Sequence, residues 1–138
     1  MRIYGSCHCG NIAFDLDWPD AQAIPARRCG CSFCRKHGGV WTASPAASLT
    51  VALRDPQRVS HYRFGTATAD FHICSDCGIA PLAVCEMDGR PHAVVSVNAF
   101  DTPDLPISEA VVVSFDGESE ADRLARRARN WIANVRFV

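Results

Sequence analysis

The sequence has no apolar run long enough to concern a membrane. Its longest, such as residues 110–113, fall far short of the about 20 apolar residues that a helical span requires. A surplus of positive charge is missing too. Fourteen Lys and Arg stand against fifteen Asp and Glu, a formal net charge of −1, and no basic–aromatic stripe is present. Nucleic acid and membrane are therefore not expected as partners. No segment repeats at a fixed period and none is low in complexity. With 48% hydrophobic and 21% charged residues, the composition also excludes disorder. The opening residues, Met1-Arg2-Ile3-Tyr4-Gly5, reach a cysteine pair before a signal-peptide stretch could form, so a cytoplasmic protein is expected. At 138 residues, one domain over 1–138 is the expectation.

What the sequence does have is cysteine, eight of them. In a reducing compartment, closely spaced cysteines read as metal ligands or catalytic groups. The even count also suits a disulfide scaffold, which the expected compartment disfavours. Seven of the eight form three groups: Cys7 and Cys9, then Cys29, Cys31 and Cys34, then Cys74 and Cys77.

The surrounding chain reads as many short strands punctuated by glycine and proline. Strands are expected over 3–6, 11–17, 47–53, 59–64, 69–73, 80–85, 92–97 and 110–115. In the second, Ile12, Phe14 and Leu16 alternate with polar residues. Residues 7–10 read as a tight turn, 32–37 as a short helical turn, and Asp88-Gly89 as a hairpin turn. Periodicity gives no assignment over 20–28. Ser119, with Asp122 three residues on, resembles a capping box. Leu124, Ala128, Trp131, Ile132 and Val135 then recur at helical spacing, predicting a helix over 120–134. Its interspersed Arg123, Arg126, Arg127 and Arg129 read most simply as a solvated face, less simply as a partner-binding patch.

Zinc prefers thiolate, and a closed structural site takes four ligands in a tetrahedron. Cys74-x-x-Cys77-Gly78 has the zinc-knuckle pattern, with the glycine suited to a positive φ. Cys7-x-Cys9 supplies a second pair. Joining the two closes a loop of about 65 residues, a cost that rises only logarithmically with length. Apparent zinc-binding free energies of roughly 10 kcal/mol or more offset it. That leaves Cys29, Cys31 and Cys34 as a three-thiolate cup with an open fourth position, as catalytic zinc sites have. Two zinc ions per chain are expected. Cys85, alone in an apolar stretch, reads as a buried thiol, with completion of a second closed site as the alternative. His37, just after the cup, is a candidate acid/base group or pocket donor, with a local structural role as the alternative. His8 is expected to turn away from the metal, and His61, His72 and His92 are scattered.

Gly5-Ser6-Cys7-His8-Cys9-Gly10, Cys29-Gly30-Cys31-Ser32-Phe33-Cys34-Arg35-Lys36 and Ile73-Cys74-Ser75-Asp76-Cys77-Gly78, in that order, resemble the glutathione-dependent formaldehyde-activating enzyme family. Gly30 stands where that family often has histidine, which leaves the ligands intact. The resemblance implies a mainly β fold of several coiled antiparallel sheets built around zinc, here followed by a C-terminal strand and helix over 107–138. It implies a closed zinc at Cys7, Cys9, Cys74 and Cys77 and an open one at Cys29, Cys31 and Cys34. It further implies a carbon–sulfur lyase that joins glutathione and formaldehyde as S-hydroxymethylglutathione. The partner is then a small thiol, and Arg35 and Lys36 are candidates for its carboxylates, or else an exposed charge pair. A non-catalytic zinc protein that carries glutathione, or a zinc-stabilised interaction module, is the alternative.

Overall fold

The computed structural model describes residues 1–20 and 22–138. Ala21, in the stretch that periodicity left unassigned, lies outside the described residues. Two sheets carry the fold. The first is four-stranded, in the order β1 (Arg2–Ser6), β2 (Ile12–Asp17), β5 (Ser48–Leu53) and β11 (Asn134–Phe137). The second is seven-stranded: β10 (Val111–Val113), β3 (Arg27–Cys29), β4 (Trp41–Thr42), β9 (Arg90–Ser96), β8 (Leu82–Met87), β7 (Asp70–Cys74) and β6 (Val59–Tyr62). Most pairings are antiparallel. The C-terminal segment contributes the two parallel ones, β10 beside β3 and β11 beside β5.

The alternation in β2 does what period two requires. Ile12, Phe14 and Leu16 are buried, while Ala13 and Asp15 are half-exposed and Asp17 is exposed. Those side chains meet Leu49, Val51, Leu82 and Val95 in the main core. The β8–β9 hairpin turns on Asp88 (φ 53°) and Gly89 (φ 73°), both left-handed, as a two-residue turn of matching twist needs. Ser32–His37 forms α1, a short helix with Cys31 as its N-cap.

The C-terminal helix α2 covers Glu120–Asn130, and Ser119 caps it by accepting a hydrogen bond from the Asp122 N–H at 3.1 Å. It stops four residues short of the expectation. Trp131 donates the last helical bond to Arg127, then turns extended (φ −78°, ψ 160°). Ile132 exchanges both backbone hydrogen bonds with Ala93 on β9, and Val135 lies on β11. Both residues fit helical spacing, yet Ile132 is buried in a bridge to β9 and Val135 is half-buried in β11. The last turn of helix gives way because the edge of β5, and the part of β9 left uncovered beyond the two-residue β4, offer backbone partners to this segment. α2 is thereby strapped across the second sheet.

Gly5 marks a close approach between elements. A Cβ there would come within 2.2 Å of Phe14 Cζ and 2.7 Å of the Ala99 carbonyl oxygen. Phe14 is itself buried, so neither neighbour can withdraw cheaply. Gly5→Ala should destabilise the fold by about 1–3 kcal/mol, as overpacking does. A urea titration should show a lower midpoint with an unchanged slope.

Candidate metal centre and adjoining cavity

The hairpin turn between β1 and β2 carries Cys7 and Cys9, and the turn after β7 carries Cys74 and Cys77. The two turns are built alike. Each ends in a glycine at positive φ, Gly10 (83°) and Gly78 (79°). Each glycine N–H donates to the carbonyl of the first cysteine, at 3.0 and 2.8 Å. That curl points both sulfurs of each pair to one place, where all four lie within 4.8 Å of one another. Cys7 and Cys9 sulfurs are 3.8 Å apart, and Cys9 and Cys74 sulfurs 3.5 Å. A tetrahedron with zinc–sulfur bonds of about 2.3 Å has sulfur–sulfur edges of about 3.8 Å, so this donor set fits zinc. His8 is exposed and outside the group.

The thiols here are not equivalent. Burial pushes Cys7 up to about 11, against the Ile12 N–H that donates to its sulfur. Burial also opposes ionisation of Cys74 and Cys77, yet both are held below the ordinary thiol range. The Cys77 N–H and the thiols of Cys9, Cys77 and Cys7 do this for Cys74, and the Cys9 and Ile79 N–H groups for Cys77. Such N–H donors stabilise thiolate.

The second group joins the end of β3 to the start of α1. Cys29, Cys31 and Cys34 also lie within 4.8 Å of one another, and no fourth Cys, His, Asp or Glu among the described residues joins them. Cys31 caps α1 by accepting the Cys34 N–H at 3.4 Å. The Cys34 thiol donates to Cys29 and holds it down to about 5, with a smaller attraction from Arg126. The same hydrogen bond, together with burial, pushes Cys34 upward. Cys85 is fully buried on β8 and stands apart from the group, with Arg127 Nη1 at 3.5 Å from its sulfur.

This cup lies on the wall of a cavity of about 360 Å³ between the second sheet and α2. Trp41, Phe64, Phe71 and Val94 line it from the sheet side, and Phe115, Arg123, Arg126, Arg127 and Trp131 from the other. The solvated-face reading of the α2 arginines is therefore overturned for three of the four. Arg127 is only 7% exposed, while Arg126 and Arg123 are held inward by Glu118. Only Arg129 remains outside. Sequence reasoning missed this wall because arginine defaults to solvent. The available signal was Glu118, an acidic residue just before the cap that can reach back to the first turns.

Arg35, Lys36 and His37 are exposed on α1, and none lines the cavity beneath α2. Arg35 lines a second cavity with Cys29 and Cys34, and Lys36 and His37 line neither. His37 packs its ring 5.4 Å from Phe33. The histidines read as scattered include a cross-strand pair, since His61 on β6 faces His72 on β7. With Asp70 they form a third group of metal-type donors, in which His61 Nδ1 and Asp70 Oδ2 are 2.9 Å apart. The Arg63 guanidinium, 3.6 Å from Asp70, already supplies a cation there.

Comparisons with known proteins bear on the family and the fold. A family model described as glutathione-dependent formaldehyde-activating enzyme matches residues 2–113. A Halomonas elongata protein that carries the same enzyme name provisionally is 32% identical over 87 residues, 58% of this chain and 54% of that protein. The match thus spans about half of that relative's length. A Rhodobacter sphaeroides protein, solved by crystallography as a structural-genomics target, superposes with a TM-score of 0.57 at 29% identity. That match covers 76% of this chain and 99% of the other.

The two sulfur groups should respond differently to loss of one ligand. Cys74→Ser breaks the junction between the sheets and should cost several kcal/mol, on the order of 10 °C or more in Tm. Cys31→Ser should leave the melting transition within a few degrees of the parent. Thermal circular dichroism melts check this, and equal losses in the two variants would contradict the division.

Proposed function

The chain belongs to the glutathione-dependent formaldehyde-activating enzyme family, and we propose on that footing that it is a zinc-dependent carbon–sulfur lyase. Its substrate in this reading is a glutathione adduct of formaldehyde or a related aldehyde, handled in the cytoplasm. Residues 1–138 act as one domain. Cys7, Cys9, Cys74 and Cys77 would hold a structural zinc, and Cys29, Cys31 and Cys34 would hold a second beside the place where the substrate sulfur binds. One observation carries the reading. The three-sulfur cup opens on the cavity beneath α2, whereas the four-sulfur group lines neither that cavity nor the one beside Arg35.

Zinc held by Cys29, Cys31 and Cys34 would supply acidification of a thiol, and so a nucleophile near neutral pH. Three thiolates already leave the centre at a formal −1, so polarising the aldehyde oxygen is the weaker contribution. The chain's own residues do the rest. Cys29, Cys31 and Cys34 fix the sulfur's position, and Trp41, Phe71 and Trp131 keep water from the reacting atoms. Arg35, beside Cys29 and Cys34 in the second cavity, suits a glutathione carboxylate. In the forward direction the sulfur lone pair forms a bond to the aldehyde carbon. The carbonyl π pair moves to oxygen, and the thiol proton ends on that oxygen. No oxidant or reductant is needed.

One feature favours a second reading, in which the protein binds or carries the thiol without turnover. Among the described residues no histidine lines the cavity beneath α2, so proton transfer there has no imidazole to use. His37 would serve only if the substrate approached over α1.

Elemental analysis of protein purified without chelator should return about two zinc ions per chain. One or none would sink the two-site reading. NMR of formaldehyde and glutathione mixtures should show S-hydroxymethylglutathione forming faster with the protein than without. Glutathione binding with no acceleration would instead select the carrier.

A further inference from the structure

The buried guanidinium of Arg127 lacks a counter-charge. Glu118 lies 3.4 Å from Arg123 and accepts two hydrogen bonds from Arg126, each of 3.0 Å. One carboxylate therefore serves two guanidinium groups. Arg127 has no carboxylate within 4.0 Å among the described residues. Its Nη1 donates to Thr68 Oγ1 at 2.8 Å and lies 3.5 Å from the Cys85 sulfur. Its Nε is buried without a hydrogen-bond partner. The group sits 4.9 Å from the Trp131 ring centre. Taking a lone guanidinium out of water costs several kcal/mol unless an anion accompanies it. A neutral hydroxyl and a sulfur are poor compensation. Fixed where it is, Arg127 forms an anion-binding wall of the cavity that also holds the cup.

The rest of that cavity limits what the anion can be attached to. Trp41, Phe64, Phe71, Val94, Phe115 and Trp131 make the lining mainly apolar. A cavity of about 360 Å³ is within the range of roughly 300–1,000 Å³ that takes small organic ligands. Formaldehyde would leave nearly all of it unfilled. Apart from the α2 arginines, the cavity's polar groups come from Arg27, Thr42, Thr66, Asp116 and Asn130, so apolar side chains remain the larger share of the wall. We infer that the cavity takes a carboxylic acid with an apolar, preferably aromatic, body. Its carboxylate sits on Arg127 and its far end reaches the Cys29–Cys31–Cys34 cup. This deepens the lyase reading and rests on it, since it makes one half of the carbon–sulfur adduct an acid-bearing aldehyde or thiol. Arg127 and Trp131 lie beyond the matched residues 2–113, so family membership alone does not specify this wall.

The test uses the full zinc-loaded chain and isothermal titration with 3-phenylpropionate and its neutral amide. The acid should bind and the amide should bind on the order of 10- to 100-fold more weakly, as loss of a charged hydrogen-bonded contact implies. Arg127→Met should abolish that preference while holding or raising Tm, because it removes a buried unpaired charge. Arg127→Lys should retain part of it, since the charge stays but the fork is lost. Equal binding of acid and amide, or binding of neither, would overturn the inference. So would an Arg127→Met variant that folds and keeps the preference. The acid–amide contrast on the unaltered chain needs no variant to fold. Adding a para aldehyde or a para thiol to the acid identifies which half of the adduct enters. The thiol should gain affinity through the cup if it is that half, and the aldehyde should be consumed with glutathione if it is the other. No effect of either group would refute contact with the cup. Acid binding without S-hydroxymethylglutathione formation would reject the formaldehyde reading and leave the acid site standing. Formation without acid binding would do the reverse.

Discussion

Four sulfurs that belong to turns 65 residues apart meet at one point, and the arrangement of the two sheets follows from that meeting. Cys7 and Cys9 end the first hairpin of the four-stranded sheet. Cys74 and Cys77 end a strand of the seven-stranded sheet. Drawing them together fixes β7 against β1 and β2, and the main core fills the space that results. The thiols alone are a poor clasp. Burial pushes Cys7 up to about 11 while N–H donors hold Cys74 and Cys77 below the ordinary thiol range, so burial and hydrogen bonding pull neighbouring thiols in opposite directions. A divalent ion at the centre of the cluster, as in the proposed reading, would ionise all four and turn that opposition into an attraction. The second sheet's other end then stays free to build a cup and a cavity that need no structural duty.

Much of this fold is legible in the sequence wherever the signal is local. The alternation of Ile12, Phe14 and Leu16 gives β2 and its buried face. Asp88-Gly89 gives a hairpin, and Ser119 gives the start of α2. The glycine after each cysteine pair gives the turn that aims the sulfurs. Legibility fails where partners are distant. The end of α2 is set by Ala93 and by β5, neither of which is near residues 131–137 in sequence. Ile132 and Val135 satisfy a period of 3.6 and yet serve as strand, because short segments can carry both patterns at once. The parallel pairings of β10 and β11 likewise have no local signature.

The candidate site divides along the same line. The three cysteine groups stand out by spacing, and the structure gathers them as two clusters. The wall facing the cup does not stand out, since its arginines look like any solvated helix face. What turns Arg123 and Arg126 inward is Glu118, and what buries Arg127 is the sheet beneath it. The short α1 acts in the opposite sense. With only six residues after its cysteine cap, it commits one face to Cys34 and leaves Arg35, Lys36 and His37 outside.

The charges on the two sides of the cavity depend on each other. A metal held by three thiolates carries a formal −1, and a substrate thiolate would bring it to −2. Burying that charge among Trp41, Phe71 and Trp131 would be prohibitive without cations nearby. Arg126 already lowers the Cys29 thiol, so the wall is close enough to matter. After Glu118 and Asp116 are subtracted, Arg27, Arg123, Arg126 and Arg127 leave two positive charges around the cavity. One can offset the trithiolate centre and the other an anionic ligand. An electropositive wall thus makes an electron-rich cup tolerable in an apolar cavity, and the same wall determines that whatever fills the cavity should itself be an anion.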